Sequence, residues 1–78
     1  MARAKDEIEM AKSGKGCLGK AHPDEPVFIL RAQDSLAAAL VLEWADRAEL
    51  LGCPFEKIVE ARALAAAMFA WPTRKFPD

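Results

Sequence analysis

The chain has 78 residues, 53% of them hydrophobic, with 11 Lys and Arg against 12 Asp and Glu. That length allows one domain with a thin core, burying about 60% of the surface its unfolded form exposes, and a formal charge of −1 argues against a dedicated duplex-DNA binder. No run of about 18 apolar residues suits a membrane span and residues 1–10 lack the apolar stretch of a signal peptide, so a cytoplasmic location is expected.

Residues 2–12 (ARAKDEIEMAK) are good helix formers but offer only Ile8 and Met10 as large apolar groups, so a helix there needs something to dock against. The stretch that follows, SGKGCLGKAHPDEP, holds every glycine but one and reads as a flexible linker. Residues 1–26 are therefore expected to be a flexible segment with a short helix at most, and residues 27–78 a single small helical domain. Gly14-Lys15-Gly16-Cys17-Leu18-Gly19-Lys20 matches the opening of a phosphate-binding loop, GxxxxGK. Ala21 stands where the loop needs Ser or Thr for magnesium and no strand precedes it, so a linker is the preferred reading.

Val27-Phe28-Ile29-Leu30 is the one continuous β-prone run, introduced by Pro26. Four apolar residues in a row suit an extended segment over 27–31 buried on both sides, or a helical turn starting at Pro26 and capped by Asp24. A single strand finds no partner in its own chain and would pair with its copy in another subunit.

Asp34 is the expected N-cap of a helix over about 35–51, since its carboxylate can accept from the free N–H groups of the next turn. Gly52 supplies the left-handed residue that ends this helix, and Pro54 starts a second one running to about residue 71, before Pro72. So short a connection predicts an antiparallel hairpin. At 100° per residue the core face of the first helix gathers Leu36, Ala37, Leu40, Val41, Trp44, Ala48 and Leu51; that of the second gathers Phe55, Ile58, Val59, Ala65, Ala66 and Phe69. The fold class expected is thus mainly α, a hairpin preceded by an extended segment and completed by homo-oligomerisation, because so thin a core needs a staple. Cys17 and Cys53 lack metal-site spacing and His22 has no second ligand nearby, which leaves another chain as the staple; no metal or cofactor is expected.

Several residues break the amphipathic pattern. Arg62 lies inside the apolar arc of the second helix and must meet an acid such as Asp34 or Asp46, or an anionic ligand. Arg47 borders the Leu36/Leu40 edge, where its head can snorkel to water. Leu42 and Leu50 on the first helix, and Leu64, Met68 and Trp71 on the second, mark either a contact with another subunit or a foreign partner, or a surface covered by the N-terminal segment or the Val27–Leu30 strap. In the tail, Trp71, Arg74, Lys75 and Phe76 mix aromatics with cations, a combination that can stack a base and hold a phosphate, or simply fold Phe76 back on the hairpin. No Ser, His and Asp constellation is recognisable, and a two-helix hairpin encloses little, so an enzyme is not expected.

The run Asp24 to Asp34, with Glu43-Trp44-Ala45, Glu60-Ala61-Arg62 and Lys75-Phe76-Pro77-Asp78, resembles small uncharacterised proteins of phages and prophage-bearing bacteria over roughly residues 18–78. The resemblance implies an accessory, anti-defence context in a host cytoplasm and carries over no site residue. Together these features suggest a non-enzymatic homo-oligomeric binding protein. One form would sequester an anionic nucleotide-like ligand through Arg31, Arg47, Arg62, Arg74 and Lys75, with Trp71 stacking a base. The alternatives are a module that inhibits a host protein through its Leu/Trp stripe and, more remotely, nucleic-acid binding through the tail.

Overall fold

The structure, a computed structural model, describes residues 3–76; Pro77 and Asp78 of the phage-like signature lie outside it. The described chain is mainly helical: α1 (Ala4–Lys12), α2 (Gly16–Lys20), α3 (Ala37–Leu50) and α4 (Phe55–Phe69), with no strand among these residues. α1 packs on α2 and α3 on α4, while neither helix of the first pair packs on the second.

The glycine-rich stretch is not a plain linker, because it builds a tight turn between α1 and a second short helix. Gly14 takes φ +71°. Its N–H donates to the Ala11 carbonyl at 3.1 Å and the Lys15 N–H to the Met10 carbonyl at 2.7 Å. This is the paired Schellman arrangement that satisfies the last carbonyls of a helix. Gly16 is also left-handed, and Gly19 passes so close that a Cβ there would lie 2.6 Å from the Gly14 carbonyl carbon. The glycines thus let α2 fold back on α1, and the N–H groups of Gly14 and Lys15, which a phosphate loop would offer to a ligand, are committed to the helix end.

Between α2 and α3 the expected strand does not form. Residues 25–31 are irregular, and Phe28 is 84% exposed rather than buried on both sides. Of the four apolar residues only Leu30 packs on the core, against Ala37, Ala38 and Met68. A helical turn at Pro26 does not form either. The one β pairing among the described residues is an isolated parallel bridge between Asp34 and Lys75. There the Lys75 N–H donates to the Gln33 carbonyl at 2.7 Å and the Ser35 N–H to the Lys75 carbonyl at 2.8 Å, which fastens the tail beside the start of α3. Asp34 organises this junction without being the N-cap. Its Oδ1 accepts from the Leu36 N–H at 2.8 Å and its carbonyl from the Ala37 N–H at 3.0 Å, so the helix begins two residues later than an Asp34 cap would start it.

α3 ends as α1 does. Gly52, at φ +75°, donates to the Glu49 carbonyl and Cys53 to the Ala48 carbonyl, and Pro54 then sets the start of α4. The packing between the helices differs in part from the expected faces. On α3 the residues facing α4 are Ala38, Val41, Ala45 and Ala48; on α4 they are Ile58, Ala61, Ala65 and Met68. Both sets repeat at spacings of three and four, the signature of one helix face. Ala37, Val41, Ala48, Ile58 and Ala65 pack inside as expected, whereas Leu36, Leu40, Trp44 and Leu51, and Phe55, Val59, Ala66 and Phe69, expected on the same faces, are exposed. Alanine stripes allow two helix backbones to approach closely, and a Leu or Trp between them would hold them apart; the price is a core with no large side chain fully buried.

Candidate interaction surface

α4 carries two adjacent apolar stripes. One, through residues 58, 61, 65 and 68, faces α3, and the other, Phe55, Val59, Ala66 and Phe69, faces outward with Arg62 at its centre. α3 adds the outward Leu36, Leu40 and Trp44. Trp44 lines an open groove of about 170 Å³ together with Lys57, Glu60, Ala61 and Leu64. That volume falls below the roughly 300–1,000 Å³ of small-molecule sites and suits one side chain of a partner better than a nucleotide.

Arg62 is held across the two helices. Its Nη2 donates to Asp46 Oδ1 at 3.1 Å and to Glu49 Oε1 at 3.1 Å, while Nη1 donates to Glu49 Oε2 at 3.3 Å. The forked hydrogen bonds to Arg62 hold the Glu49 carboxyl below its ordinary value, and the same contacts, led by Glu49, push the Arg62 guanidinium up. One cation with two carboxylates leaves the cluster with a net charge of −1 in the middle of an apolar face.

The other candidate ligand residues are dispersed. Arg47 pairs with Glu43, one turn back on α3, at 2.9 Å and points into solvent. Arg74 donates to the Ser35 carbonyl at 3.3 Å and lies 5.8 Å from the centre of the Phe69 ring. The bridge at residue 34 brings Lys75 to the same end of the molecule, and Arg31 enters the adjoining turn, its carbonyl accepting from the Asp34 N–H. Phe76 does not fold back on the hairpin, being 79% exposed, and Trp71 is half exposed. Arg62 and Arg47 are therefore engaged with acids, and the tail is fastened by its backbone and the Arg74 side chain rather than by the Phe76 ring.

The residues read as an interface also divide. Met68 is buried at 7% exposure, and Leu30 and Leu64 pack against the same cluster. Leu42 is half-buried, whereas Val27, Phe28, Ile29 and Leu50 are exposed. The outward stripes of α3 and α4 are the larger surface, and they escaped notice because their residues were placed in the core. The extra signal was present in α4, whose apolar residues cover too wide an arc for one contact. Among the described residues no three His, Cys, Asp or Glu side chains converge as metal ligands.

No family model, curated protein or solved structure matches the chain.

Proposed function

We propose that this chain is a non-enzymatic, self-associating binding protein in which copies meet through the outward apolar stripes of an antiparallel α3–α4 hairpin. The observation that carries the reading is the excess of accessible surface. The chain exposes 6286 Å², where a folded monomer of its mass would expose about 4,700 Å². The difference, roughly 1,600 Å², is ample for the approximately 800 Å² that each partner contributes to a stable interface. Its chemistry fits that use, since sixteen large apolar side chains are exposed while five of the seven buried core residues are alanines.

Sedimentation of a Phe55→Asp/Val59→Asp variant tests this. Neither side chain is in the α3–α4 core, so helical circular dichroism should persist while the mass falls to that of one chain. An oligomer that survives both substitutions would contradict the reading for this face.

A second reading, capture of a phosphorylated ligand, is favoured by one observation: the Asp34–Lys75 bridge gathers Arg31, Arg74 and Lys75 at one end of α3. A rise in Tm with nucleotide, lost in Arg74→Ala, would support it. An unchanged Tm at millimolar nucleotide would remove it.

A further inference from the structure

We propose that the outward stripe of α4, with the Arg62–Asp46–Glu49 cluster at its centre, is the docking face for the α1–α2 unit of a second copy of this chain. The inference rests on the self-association reading and adds which surfaces meet.

Covering this face would enclose Phe55, Val59 and Phe69 together with a cluster of net charge −1, and a carboxylate enclosed without a cation is strongly disfavoured. The occupant must therefore bring both apolar groups and positive charge. The α1–α2 unit has both. It exposes Ile8, Met10 and Leu18, and residues 3–20 carry five cations and three acids, against three cations and five acids in residues 37–69. Lys15 and Lys20 pair with no carboxylate among the described residues. The unit is rigidly built by its glycine turn, yet it does not pack on its own α3 or α4. The exposed parts of Ile8, Met10 and Leu18 are thus not covered by α3 or α4, and the available area matches what a dimer needs.

The test is a charge exchange in the full-length chain, read by sedimentation equilibrium. Lys15→Glu/Lys20→Glu removes the cations of the arm, and Asp46→Lys reverses the face while leaving the Glu49–Arg62 fork in place. Each alone should raise the dissociation constant about tenfold, and the combination should restore it to within about threefold of the parent. Ile8→Asp/Leu18→Asp should weaken association without rescue by Asp46→Lys. If the parent associates but neither charge reversal nor Ile8→Asp/Leu18→Asp changes its affinity, this docking is overturned while self-association stands. A parent that stays monomeric sinks both. Rescue seen only as recovered melting temperature in a monomer would place the arm on its own hairpin and overturn the second-copy occupant.

Discussion

At the scale of single residues, the glycines separate two kinds of constraint. Gly14 and Gly52 are left-handed with nothing within 4 Å of an added Cβ, so alanine there meets only the conformational penalty of about 1–2 kcal/mol. Gly19 has no positive φ, but a Cβ would collide with the Gly14 backbone. Gly19→Ala should therefore open the α1–α2 turn, and backbone amide exchange in residues 4–20 should rise sharply, while Gly14→Ala produces a smaller change. Protection that is equal in the two variants would refute the close approach. In the core, Ile58 is the largest nearly buried side chain of the second packing cluster. Ile58→Ala should cost about 2–5 kcal/mol by chemical denaturation, whereas Leu50→Ala, at a site 87% exposed, should leave monomer stability nearly unchanged. Glu49 provides a pH prediction. Its folded value is depressed by Arg62, so its contribution is present above the ordinary 4.5 and lost as pH falls through the lower folded value. The melting-temperature difference between the parent and Glu49→Gln should accordingly close below pH 4.5, and a gap that persists at pH 3 would show that the fork is not its source.

At the scale of elements, the α3–α4 connection was legible, while the outer helix ends and the helix faces were legible only in part. Gly52 followed by Pro54 marked the α3–α4 connection because only glycine takes the left-handed residue cheaply there. α2 was missed since three glycines in seven residues suggest a linker by composition, and only the close approach of Gly19 to Gly14 shows what they are for. The core faces were legible in part: Ala37, Val41, Ala48, Ile58 and Ala65 pack inside, but angular placement alone did not separate them from the large residues on the same arcs. Ala45 and Ala65 are fully buried while Leu36 and Phe55 are not, as close backbone packing favours the smaller side chain at the contact. Ala45→Leu tests this directly. It should destabilise the protein by about 1–3 kcal/mol through overpacking, and a stabilised Ala45→Leu variant would mean that the helices do not meet at this stripe. Of the interaction surface, Arg62 stood out in the sequence as a charge in an apolar arc. Its pairing with Asp46 was foreseen as one of two acids and is found, whereas Asp34 is not its partner and Glu49, thirteen residues away, was not foreseen.

At the scale of the whole molecule, the radius of gyration is 13.3 Å, against about 11.5 Å for a compact chain of this length. The excess has a structural origin, because two helix pairs are each internally packed and do not pack on one another. No helix of the described residues is long and apolar enough to cross a membrane. On the proposed reading, the α3–α4 pair and the α1–α2 unit each supply half of an interface. Sedimentation equilibrium of the unmodified chain from micromolar to millimolar concentration tests it most directly: the account predicts a mass that rises from that of the 8.5 kDa chain to at least twice that value, and a mass that stays at one chain throughout would contradict it.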